Sequence, residues 1–153
     1  MANIVFNIAK GRVIELYNRV KSNDPANSAL IIVPIETSGL ESDATLIDAD
    51  SLSAVLSGAT NEQTTMGRKV LTDSDLASLP APDDTNDRYE VELPTVTWMA
   101  ASGNAISKLL VCYDGDTTGG NDANIIPLTM FDFAQTPSGA DIQMTGAPFF
   151  RAE

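Results

Sequence analysis

The apolar positions of this chain keep two rhythms. In "NIVFNI", Ile4, Phe6 and Ile8 fall on alternate positions, the period of a short strand. In "GRVIELYNRVK" the period changes. Val13, Leu16, Tyr17 and Val20 stand at i, i+3, i+4 and i+7, one stripe of a helix, and Glu15 is placed to pair with Arg19 four residues on. The β-favouring residues Val13, Ile14 and Tyr17 keep a strand as the alternative there. After the turn residues "SNDPANS", the continuous apolar run "ALIIVPIE" predicts a strand covered on both faces and ended or bent at Pro34.

Two short helices follow. In "DADSLSAVLSGA", Asp50 is the candidate N-cap, Leu52, Val55 and Leu56 form the inward stripe, and Gly58 is the stop. In "TDSDLASLP", Thr72 caps, Asp75 takes the third helical position and Pro80 ends the element. "PAPDDTNDR" is stiff, polar and acidic, the composition of an exposed connection. Beyond it, period two prevails. "RYEVEL" alternates Tyr89, Val91 and Leu93 with Glu90 and Glu92, and "TVTWMA" alternates Val96 and Trp98 with threonines. "AISKLLVCY", "NIIPLTMFDFA" and "GADIQM" complete the series between Gly- and Asp-rich turns. The pattern predicts a mainly β fold, β-sandwich or β-barrel-like, with two or three short helices in the N-terminal half. It predicts one domain over residues 1–153, with an extended N-terminal segment 1–9 and no fixed-period repeat.

Charge narrows the partners. Nine Lys and Arg against 21 Asp and Glu leave −12, with no histidine. Such a field repels a phosphate backbone, so direct nucleic-acid binding is not expected. Only Lys10, Arg12, Arg19 and Lys21 fall close together, and they read as a solvated helix face. Cys112 is the sole cysteine, which excludes an internal disulfide. No apolar run approaches the roughly 18 residues of a membrane span. In "MANIVFNIAKGR" the apolar stretch precedes the basic residues, the reverse of a signal peptide, so the chain is expected to be made and assembled in a cytoplasm.

Candidate chemistry is sparse. "YDGDTTGGND" has the opening of a calcium loop, with Asp114, Asp116 and Gly119 at positions one, three and six. Thr118 stands at five, however, and Ile125 where the bidentate Glu must close the cage, so the segment reads as a strand connection. Without histidine no Ser-His-Asp or Cys-His arrangement exists, and thiolate–imidazole zinc sites are excluded. Asp83, Asp84 and Asp87 lie in the Pro-rich connection, where acids are solvated rather than held across a cleft. No phosphate-loop spacing occurs. The expectation is no enzyme, no cofactor and no metal: a protein whose function is its surface.

Extended stretches of the chain resemble a family of small virion proteins of tailed bacteriophages. The resemblance is carried by "ANIVFNIAKGRVIELYNRVKSNDPANSALIIVP", "GRKVLTDSDLASLPAPDDTNDRYEVELPTVTW", "ISKLLVCYD", "NIIPLTMFDFA" and the terminal "FFRA". It implies a virion structural component, and within that class a head decoration (cement) protein on the outer capsid surface. The partners so implied are the major capsid protein and other copies of the chain, a trimer being favoured. The alternatives left open are another virion component (tail, neck or fibre-associated) and a glycan-binding module using Trp98, Tyr89 and Tyr113. The candidate docking residues are Ile4, Phe6 and Ile8 in the N-terminal segment, able to add to a neighbour's sheet edge, and Phe149 and Phe150 near the other end.

Overall fold

The computed structural model of the chain describes residues 4–153. A two-residue strand β1 (Ile4–Val5) and a 3-10 turn (Asn7–Ala9) lead into α1 (Val13–Lys21) and β2 (Ala29–Glu36). Three short pieces follow, α2 (Asp43–Leu46), α3 (Leu52–Val55) and β3 (Lys69–Leu71), then α4 (Asp73–Leu76). The second half supplies β4 (Tyr89–Leu93), β5 (Val96–Trp98), β6 (Ile106–Asp114), β7 (Ile126–Gln135), β8 (Ile142–Met144) and β9 (Ala147–Ala152). The fold is mainly β, as the two-residue rhythm predicts.

An antiparallel five-stranded sheet in the order β1-β7-β6-β2-β3 forms the frame. Two antiparallel ribbons, β4-β9 and β5-β8, pack on it. β6 is the middle strand, paired with β2 from Ala29↔Asp114 to Glu36↔Ile106 and with β7 on its other side. Both β2 and β6 are buried along almost their whole length, which is why they read as unbroken apolar runs instead of alternating ones.

The helical stripe is realised in full: Val13, Leu16, Tyr17 and Val20 are the buried residues of α1, and Glu15 accepts from Arg19 at 3.1 Å. Tyr17 meets Phe149 of β9 with ring centroids 6.0 Å apart, joining α1 to the β4-β9 ribbon. Trp98 of β5 meets Phe133 of β7 at 6.5 Å, and its indole N–H donates to the Gly67 carbonyl at 3.0 Å. The buried apolar side chains of all these elements form one cluster.

Three local expectations are corrected. "NIVFNI" is a strand only to Val5. The Phe6 N–H still donates to Leu128 O, but the Asn7 N–H leaves the β7 ladder for Ile47 O at 2.9 Å, and Asn7 engages the Asp48 carboxylate through its side chain. The chain therefore coils into the 3-10 turn, with Phe6 and Ala9 turned into the core. Pro34 does not end β2, which runs on to Glu36, and the register irregularity falls one residue on, at Ile35/Glu36. Pro34 lies beyond the three residues that pair with β3, and its carbonyl accepts from Gln63 N, so no ladder there needs its missing N–H. The cap of α3 is Ser51, whose Oγ accepts from Ala54 N at 3.1 Å, one residue after Asp50.

The expected capping box of α4 is present: the Asp75 carboxylate accepts from Thr72 N at 2.8 Å and from its hydroxyl at 3.2 Å. A buried amide closes the other end of the frame. Gln63 donates to the carbonyls of Ser102 and Asn104 and accepts from the N–H groups of Thr65 and Met66. Gly103, at φ +104°, passes so close that any Cβ would run into that amide.

Candidate functional site

Of the candidate docking residues, Phe6 and Phe149 are core side chains, both essentially without solvent exposure. Residues 1–3 of the N-terminal segment lie outside the described residues. Ile4 belongs to β1, whose register with β7 is Ile4↔Met130 and Val5↔Thr129, so this segment is a strand of the chain's own sheet. Ile4, Ile8 and Phe150 are half-buried and keep surface that a neighbour could touch. The two groups sit apart: Ile4 is on the edge strand β1 of the large sheet with Ile8 in the 3-10 turn after it, and Phe150 is in the β4-β9 ribbon.

The aromatic trio does not assemble into a platform. Trp98 and Tyr113 are buried, and half-buried Tyr89 donates its hydroxyl to the Asn18 side chain at 2.8 Å. The Lys69 ammonium lies 5.8 Å from the Trp98 ring centroid. Cys112 is wholly buried in the middle strand, and burial pushes its thiol far up from the ordinary range, away from the reactive thiolate form.

The acidic connections are turns built from their own carboxylates. Asp83 accepts from Thr85 N, Asn86 N and the Asn86 side chain, and the last of these leads in holding its acid below the usual range. In the β6–β7 loop, Asp114 Oδ1 accepts from Asp116 N at 3.0 Å, and Asp116 Oδ1 accepts from the N–H and hydroxyl of Thr118. Asp122 faces away to an arginine. Among the described residues no group of three or more acidic or thiol side chains is placed to hold a metal ion.

That arginine is the feature the sequence did not disclose. Arg68 forks both ways: Nε and Nη2 donate to the two oxygens of Glu62 at 2.7 Å, while Nη1 and Nη2 donate to those of Asp122 at 2.7 and 2.8 Å. The clamp pins the β6–β7 loop to the segment that enters β3. The Asp122 carboxyl is held below its ordinary value chiefly by the Arg68 hydrogen bonds, against the opposing effect of burial. Its partners lie six and 54 residues from Arg68, spacings that no helix or hairpin rule connects. Lys108 makes a comparable tie, bonding Asp132 at 2.8 Å and Asp43 at 3.2 Å. Burial alone would make its ammonium easier to deprotonate, but the hydrogen bonds to Asp132 and Asp43 outweigh that and hold its pKa above the ordinary lysine value.

Around the clamp lie two adjoining cavities that share Asp114. One of about 240 Å³ is lined by loop residues including Asp116, Asn121 and Asn124. The other, about 200 Å³, is lined by the aliphatic Ile31, Val70 and Ile125 together with Arg68, Asp114 and Asp122. A third, about 250 Å³, lies between α2 and α3. Comparison with protein-family models, with curated proteins and with solved structures gave no match.

Proposed function

We propose that this chain is a structural component of a tailed-bacteriophage virion, acting as an external head decoration protein that bridges major capsid subunits and opposes the pressure of packaged DNA. Support comes from the resemblance of its extended stretches to small phage virion proteins. The observation that carries the reading is a packed β frame with apolar surface left at separate places. Ile4 lies on the β1 edge with Ile8 in the turn that follows it, Phe150 on the ribbon, and Val70 on the β3 edge. A cement protein needs several such contacts, because many modest ones acting in parallel hold a shell. The −12 charge suits an outward position that does not face DNA.

The test is the number of copies per purified particle, by quantitative mass spectrometry against the major capsid protein. A ratio of the order of the capsid protein's own is the expected result. A handful of copies would instead fit a neck, tail or fibre part, and absence from virions would overturn the reading altogether.

A further inference from the structure

The cavity beside β3 combines aliphatic with acidic lining, and each constrains what fits. Its volume, about 200 Å³, is below the roughly 300–1,000 Å³ of sites for free small molecules and suits a single inserted side chain. Ile31, Val70 and Ile125 offer contact to a hydrocarbon stem. Val70 is 50% exposed, an unusual state for a large aliphatic residue in this chain.

One guanidinium and three carboxylates, Asp114, Asp116 and Asp122, line this cavity and its neighbour, and Glu62 joins them through Arg68. Arg68 is fully engaged by Glu62 and Asp122, leaving the charges of Asp114 and Asp116 uncompensated by it. Asp114 as a residue is only 9% exposed, so a cation that reaches it from the cavity is partly shielded from water, where opposite charges attract more strongly than at the open surface. No aromatic ring lines the cavity, which disfavours a quaternary ammonium ligand.

We propose that this cavity receives a lysine or arginine side chain of a partner protein. The stem lies on Ile31, Val70 and Ile125, and the cationic head reaches Asp114. Lys and Arg are the side chains that join an aliphatic stem to a charge in this way. The backbone assists. The pairing of Lys69 and Leu71 with Ile32 and Leu30 turns the Val70 N–H and C=O to the outer edge of β3, where an extended partner segment can bond them.

A different protein is the occupant, because this chain has little cation to offer a second copy. Eight of its nine basic residues already hold partners: Lys10, Arg19, Lys21, Arg68, Lys69, Arg88, Lys108 and Arg151. Two bodies of −12 also repel each other.

The test is a two-dimensional amide NMR titration of the intact chain with N-acetyl-lysine methylamide. The norleucine analogue supplies the stem without charge, and ammonium chloride the charge without stem. Saturable shifts are expected at the amides of Val70, Asp114, Thr117 and Ile125, at least about tenfold weaker with either control. Asp114→Asn keeps an oxygen for the Asp116 N–H while removing the charge, and Val70→Ser removes part of the aliphatic lining. Each is expected to weaken binding about tenfold with the rest of the spectrum unchanged. Equal binding of the norleucine analogue, equal shifts from ammonium, or no saturable shift in the wild-type chain would overturn the proposal. So would self-association by sedimentation that Asp114→Asn abolishes, since the occupant would then be a second copy.

Discussion

At the scale of single residues, the polar side chains that matter most are those that join distant segments. Arg68 is the clearest. Replacing Asp122 by Asn leaves Glu62 as the only carboxylate on the guanidinium and is expected to cost on the order of 1 kcal/mol, solvent screening included. Its pH dependence has a definite sign. Asp122 titrates below its ordinary 3.8 in the folded chain, so its contribution is fully present above that value and is lost as pH falls through the lower, folded one. Melting temperatures of wild type and Asp122→Asn should therefore differ at pH 5–7 and converge near the acid limit of folding; a constant gap would show that the clamp is not the cause. None of this was legible beforehand. Arg68 sits in a stretch without period, and its two partners lie in separate loops, so only the folded backbone brings them together.

At the scale of elements, legibility followed periodicity. The α1 stripe, the α4 capping box and the alternation of β4 and β5 were readable because each is set by neighbours within a few residues. β3 and β9 were not. β3 is three residues long, too short to show a period, and β9 contains Pro148 and two adjacent phenylalanines, one buried and one half-exposed. β9 exists because β4 pairs with it, from Tyr89↔Ala152 to Leu93↔Ala147, a contact across more than fifty residues. The N-terminal element carries the sharpest mechanical consequence. Phe6 is fully buried, so Phe6→Ala should destabilise the fold by about 3–5 kcal/mol in urea unfolding. Removing residues 1–8 would take away that core side chain along with any docking surface, whereas Ile8→Ser alters a half-buried position and leaves Phe6 in place. A loss of stability no greater for Phe6→Ala than for Ile8→Ser would contradict the packing described here.

At the scale of the molecule, the chain is organised around its middle strand. β6 is flanked by β2 and β7, with β3 and β1 outside them, and the ribbons and α1 complete the cover. The β-rich class followed from turn spacing and alternation, but strand order did not, because β2 and β6 are joined by about seventy intervening residues that carry their own elements. That arrangement gives the lone sulfur a use as an internal clock. Cys112 is wholly buried on the central strand, opposite Ile31 of β2 and Pro127 of β7. An alkylating reagent added to the native chain should thus be consumed only during rare excursions in which the sheet parts at its centre. The pace of mass gain, compared with that of the urea-unfolded chain, would meter how often the whole architecture comes undone, without any engineered probe.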